Sequence, residues 1–155
     1  MKRQGSARWL GHRKKTTVEE CRTISVSCLV YEYGLGAYVS MRLRQAWATG
    51  PEGCQTASVE ITLETEVDRG LMRLDYHTAV GGEAAGQMVE VVRLQASLSH
   101  WGGLRWWFEC PNCRRRVTKL HLPPNGDHFR CRLCHNLTYE SSRRHNAPGT
   151  NRRWA

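Results

Sequence analysis

Two close cysteine pairs constrain this chain more than any other feature: Cys110-Pro111-Asn112-Cys113 and, after seventeen residues, Cys131-Arg132-Leu133-Cys134. Each pair falls on a tight turn that aims two sulfurs at one point, and the stretch between is long enough to run out, turn and return. The spacing predicts one structural Zn2+ held tetrahedrally by Cys110, Cys113, Cys131 and Cys134. A ribbon of about thirty residues buries too little apolar surface to fold alone, so the metal becomes part of folding.

The remaining length suits one domain with this module appended. Seven cysteines in 155 residues are an odd number in a chain long for a disulfide scaffold, and no apolar signal segment precedes them. No apolar run reaches membrane-spanning length, so the expectation is a soluble protein of a reducing cytoplasm with no membrane partner. Cys21, Cys28 and Cys54, outside the two pairs, read as small buried apolar residues.

The formal charge of +9 divides unevenly: +6 over residues 1–15, −5 over 16–109 and +8 over 110–155. One zinc with four thiolates lowers the last figure to about +6. Two positive ends flanking a mildly acidic middle point to an acidic polymer as partner.

Four parts follow: a basic flexible N-terminal arm (1–15), a strand-rich body (16–103), a zinc ribbon with a coupling strand (104–142) and a basic C-terminal tail (143–155). In the arm, His12-Arg13-Lys14-Lys15 reads either as a solvated tail or as a nucleic-acid contact, and Trp9-Leu10 either docks on the body or interrupts the tail. Thr17-Val18-Glu19-Glu20 has capping-box spacing. Ile24, Val26 and Cys28 alternate as a strand does, whereas Ile24, Cys28 and Tyr31 share a helical face that Gly34 would end; we read a short helix over 27–33.

From Tyr38 onward the alternation is that of strands: Val39, Met41 and Leu43 up to Trp47; Val59, Ile61 and Leu63 against Glu60, Thr62 and Glu64; Leu74 and Tyr76 about Asp75; Val89, Val91 and, after a slip, Val92 and Leu94. Turns fall at Thr49-Gly50-Pro51-Glu52-Gly53, Asp68-Arg69-Gly70 and Gly81-Gly82-Glu83. The fold class is mainly β, or small α+β: an antiparallel β-meander with one wet face, joined to the C-terminal ribbon. After Gly102-Gly103, Trp106 and Phe108 point one way and Trp107 the other, so this strand couples the body to the ribbon by packing; base stacking by an exposed Trp is the alternative.

Within the ribbon, Pro123-Pro124-Asn125-Gly126 supplies the turn. His121, His128 and His135 stay off the ligand list because four thiolates complete a tetrahedron, although His135 could donate a hydrogen bond to a sulfur. Arg114, Arg115, Arg116, Lys119, Arg130 and Arg132 exceed what the two negative charges of the metal site require. Together with Arg143, Arg144, Arg13, Lys14 and Lys15 they form a candidate nucleic-acid-binding set.

The stretch Gly102-Gly103-Leu104-Arg105-Trp106-Trp107-Phe108-Glu109-Cys110-Pro111-Asn112-Cys113, with Lys119-Leu120, Leu122-Pro123-Pro124 and Cys131-Arg132-Leu133-Cys134-His135-Asn136-Leu137-Thr138-Tyr139-Glu140-Ser141, resembles an uncharacterised group of bacterial zinc-ribbon proteins. A weaker similarity covers Arg8-Trp9 and Gly11 to Glu19. The resemblance implies bacterial origin and a zinc ribbon, with no catalytic role to carry over.

Three functions fit these residues. The first is a non-catalytic protein that grips nucleic-acid phosphates without reading bases. The second is an adaptor whose ribbon docks on a protein partner. The third is a metal-dependent nuclease, suggested by Asp127-His128 and His135-Asn136, although both pairs crowd the second cysteine knuckle. No Gly-rich phosphate loop or nucleophile triad points to a small-molecule substrate.

Overall fold

The computed structural model describes residues 14–48, 55–80 and 83–145. A 3-10 turn at Val18–Glu20 leads into β1 (Arg22–Ser25) and α1 (Val26–Tyr33), followed by β2 (Ser40–Ala48), β3 (Gln55–Thr65), β4 (Arg69–Val80), β5 (Glu83–Leu98), β6 (Leu104–Glu109), β7 (Arg116–Val117), β8 (Lys119–Leu122) and α2 (Glu140–His145). Strands β2 to β7 pair in sequence order as a six-stranded antiparallel sheet, while β1 and β8 form a second, two-stranded sheet. The expected mainly β fold with an antiparallel meander and a four-cysteine ribbon is the fold observed.

The period of two decides which face is buried. Val59, Ile61 and Leu63 of β3, Met72, Leu74 and Tyr76 of β4, Val92 and Leu94 of β5, and Trp106 and Phe108 of β6 are all buried. Ile24, Val26, Leu29 and Leu35 from the β1–α1 segment close over them, together with Leu120, Leu122 and Phe129 from the ribbon, in one continuous core. Each fully buried side chain of this size contributes about 1.5–3 kcal/mol relative to exposure.

The opposite face is wet, as expected: Arg44 pairs with Glu60 and Arg73 with Asp75 across it. Val89 and Val91 also lie on this outer face, about half exposed. No slip precedes Val92, because the β4–β5 register runs unbroken from Gly86 to Gln95, and the bulge falls instead at Thr78/Ala79. Strand β5 simply carries valines on both faces.

The helix read over 27–33 is α1, one residue longer at its start. Gly34 ends it in the left-handed region at φ 74°, its amide bonding the Val30 carbonyl (3.1 Å) while the Leu35 amide reaches back to Leu29 (2.9 Å). At the Asp68-Arg69-Gly70 turn a Cβ on Gly70 would meet the Glu64 carbonyl oxygen at 2.7 Å, so only glycine fits. The expected turns at 49–53 and 81–82, Trp9-Leu10 and Cys54 lie outside the described residues.

On the coupling strand, Trp106 and Phe108 point into the core and Trp107 outward. Trp107 is covered in place: its Nε1–H donates to Ser97 Oγ at 3.1 Å and the Arg105 guanidinium lies 4.2 Å from its ring centre. The Trp-Trp-Phe run therefore packs.

The segment 16–25 joins the ribbon edge. Strand β1 pairs antiparallel with β8 from Arg22↔Leu122 to Ser25↔Lys119, and Thr17 bridges Thr138 in parallel. Glu20 completes the near side of its capping box by accepting the Thr17 amide at 3.2 Å. That bond, reinforced by Arg143, holds its carboxyl below the usual range.

Candidate metal centre

Cys110 leaves the end of β6, and the chain turns through Pro111 to Cys113, with the Arg114 amide returning to the Cys110 carbonyl (2.9 Å) and the Cys110 amide to Arg115 (2.9 Å). Arg114 occupies the left-handed region at φ 62°, a position that ordinarily favours glycine. The second knuckle is built alike: the His135 amide bonds the Cys131 carbonyl (3.2 Å), the Leu137 amide bonds Arg132 (3.0 Å), and Asn136 takes φ 51°. Asparagine tolerates that conformation better than most residues.

These turns bring the four expected sulfurs, Cys110, Cys113, Cys131 and Cys134, within 4.8 Å of one another. Cys110 and Cys134 are 3.9 Å apart, and Cys113 and Cys131 3.7 Å. Both separations are far too long for disulfides. A tetrahedron with Zn–S bonds of about 2.3 Å has an edge of about 3.8 Å, so these spacings fit an ion at the centre. The group can hold a metal ion, and it is the one cluster of at least three candidate ligand side chains found among the described residues.

Donors already face the sulfurs. Asn112 Nδ2 reaches Cys134 Sγ at 3.2 Å and the Cys131 amide reaches Cys110 Sγ at 3.4 Å. Burial pushes the Cys110 thiol up, but amides of residues 113, 131 and 112 outweigh it and bring the group down to about 7. Such donors stabilise thiolate, the form that binds metal, at Cys110, whereas burial pushes the Cys131 and Cys134 thiols up.

His135 does not take the sulfur-orienting role expected of it. Its Nε2 donates to the His128 carbonyl at 3.0 Å, and Asn112, seated in the first knuckle beside the sulfurs, is the side chain that bonds one. His128 Nδ1 donates to Glu90 Oε1 at 2.7 Å and has Asp127 Oδ2 3.7 Å from its other nitrogen. His121, buried in β8, pairs with Thr23 Oγ1 at 2.8 Å. Burial lowers its pKa to about 4. Asn136 accepts from Lys15 Nζ at 3.2 Å.

Glu90 ties the ribbon to the sheet. On the inward face of β5, its carboxylate accepts the Phe129 amide (2.9 Å), the Tyr76 hydroxyl (2.7 Å) and His128. Phe129 is fully buried, edge-on to Tyr76 at 5.1 Å and tilted against Trp47 at 6.4 Å. Sequence reasoning missed both residues. The signal for Glu90 is its parity, an acid in register with Val92 and Leu94; Phe129, single between His128 and Arg130, carries none.

The candidate cations separate into two groups. Arg114 pairs with Glu109 at 2.9 Å and holds that carboxyl below its usual range. Arg143 meets Glu20 and Glu140 and also donates to the Lys15 carbonyl. Arg116 bonds the neutral Gln95, and Arg132 lies over Tyr139 and bonds the Leu137 carbonyl. Arg115, Lys119, Arg130, Lys14 and Lys15 have no carboxylate within 4.0 Å among the described residues. Arg13 and the side chain of Arg144 lie outside them.

No protein-family model matches the chain, and neither a curated protein nor a solved structure matches it. Among the described residues no helix is long and apolar enough to cross a membrane.

Proposed function

We propose that this chain is a non-catalytic nucleic-acid-binding protein, that its four cysteines hold one structural Zn2+, and that its ribbon and adjoining basic segments contact phosphates. The donor set supports zinc: four thiolates at tetrahedral spacing are the borderline-soft environment zinc prefers, with every ligand position filled by protein. When bound, the ion supplies a crosslink between the two knuckles and leaves a net charge of −2 there.

The observation that carries the reading is the charge balance on the ribbon. Of the described cations of residues 110–145 only Arg114 and Arg143 have carboxylate partners within 4.0 Å among the described residues, leaving Arg115, Arg116, Lys119, Arg130 and Arg132 against a site that needs two charges offset. The bond from Lys15 to Asn136 sets Lys15 beside this surface. Cations held in this way neutralise phosphates without selecting sequence.

Fluorescence anisotropy with labelled DNA and RNA across a salt series tests this. Affinity should fall as salt rises, and changing Arg115, Lys119 and Arg130 together to Ala should make the log–log slope shallower by about 0.7–0.9 per lost contact, with Arg114→Ala changing it least. Zinc-loaded protein that binds no nucleic acid at low salt would overturn the proposal.

A further inference from the structure

The β5–β6 hairpin projects beyond the rest of the sheet. Pairing with β4 stops at Arg69↔Gln95 and the Ala96 amide still bonds the Asp68 carbonyl (2.7 Å), so Ser97 and Leu98 pair only with β6. Its turn is closed by two backbone bonds, Gly102 amide to Ser99 carbonyl (3.0 Å) and Ser99 amide to Gly103 carbonyl (2.9 Å). Gly102 and Gly103 sit at φ 85° and 81°, a region that glycine enters without strain.

This tight turn holds apolar side chains in water. Trp101 is 93% exposed and Leu98 84%, with Leu104 also exposed and the His100 ring edge-on to Trp101 at 5.6 Å. The other described tryptophans, Trp47, Trp106 and Trp107, are all at least partly buried. Trp101 therefore adds almost nothing to the core. From Ala96 to Trp107 the arm carries Arg105 and no acidic residue. An exposed indole on a short rigid arm, with the Arg105 cation on the same arm, suits a partner that offers flat aromatic faces and negative charge.

We propose that this hairpin is a stacking finger that sets Trp101 against an unpaired base of single-stranded nucleic acid, with Arg105 meeting the adjoining phosphate. The inference rests on the nucleic-acid reading above and narrows it to single strands. Inside a duplex the base faces are already stacked, whereas an unpaired base of any identity offers one.

The test uses full-length, zinc-loaded protein with an oligothymidylate, a duplex of equal length and phosphatidylserine vesicles. Wild type should prefer the single strand. Trp101→Ala should weaken single-strand binding about tenfold while leaving duplex affinity, salt slope and zinc content unchanged, and Trp101→Phe should recover most of the loss. Because the side chain is in solvent, both variants should fold, which circular dichroism checks. If wild type binds and Trp101→Ala binds the single strand equally well, or loses duplex affinity alike, the finger is wrong and the phosphate reading stands. Trp101-dependent vesicle binding without an effect on the oligonucleotide overturns it in favour of a lipid surface. If wild type binds no oligonucleotide, both proposals fall.

Discussion

The six-stranded sheet and the ribbon are stabilised by different means, yet neither has a complete core alone. In the sheet, neighbouring strands follow one another in sequence, and alternating aliphatic residues supply one buried face. In the ribbon two knuckles bring four sulfurs together, and the fully buried Phe129 enters the sheet's core with Leu120 and Leu122. Strand β8 and its partner β1 are the second layer over that face. The ribbon is thus part of the body's core cover, and its metal site can set the stability of both.

The largest effect should come from the metal site. If the cysteines hold the proposed zinc, Cys131→Ser should abolish tight zinc binding and destabilise the whole chain by several kcal/mol, since the energy of binding a structural metal is then folding energy. Metal analysis and thermal melting check it. A variant that loses zinc yet melts as wild type would separate the two regions.

Phe129→Ala tests the same link without touching a ligand. Removing a fully buried aromatic costs about 3–5 kcal/mol, whereas Val91→Ala on the exposed face of β5 should stay within about 0.5 kcal/mol. Urea denaturation midpoints compare them. Near-equal losses would mean that the ribbon only rests on the sheet.

A pH dependence sharpens the β1–β8 layer. His121 titrates near 4 in the fold because it is buried, against about 6.5 when unfolded. The unfolded chain therefore takes up the proton first as pH falls, so the contribution is complete above about 6.5 and is lost progressively towards 4, by about 3 kcal/mol in all. Proton competition for the thiolates acts in the same direction, so the quantity to measure is the difference in pH slope between wild type and His121→Gln. Equal slopes would contradict a buried neutral imidazole.

The smallest effect concerns Glu90. Glu90→Ala leaves the buried Phe129 amide without its carboxylate acceptor and should cost about 1–3 kcal/mol in urea unfolding. No change would mean that water replaces the carboxylate.

What was legible in the sequence follows the range of the forces involved. The β2–β5 meander shows itself through alternation and turn residues, and the four ligands through spacing, because both signals are local. Strand β1 is only Arg22-Thr23-Ile24-Ser25, with Ile24 its one fully buried residue, and it pairs with residues almost a hundred positions away. Nothing local records that partner. The same holds for Phe129 and Glu90, whose contacts join β5 to a loop beside the second knuckle. Excess charge on the ribbon was visible, but its division into paired and unpaired cations depended on Glu109, Glu20 and Glu140 being nearby.

Amide hydrogen exchange of zinc-loaded protein before and after chelation tests most directly whether ribbon and sheet form one unit. On metal removal, protection at Ile61, Leu63, Met72 and Leu74 in the centre of the sheet should fall together with that at Leu120 and Leu122. Full protection retained in β3 and β4 while residues 110–138 exchange freely would contradict the account.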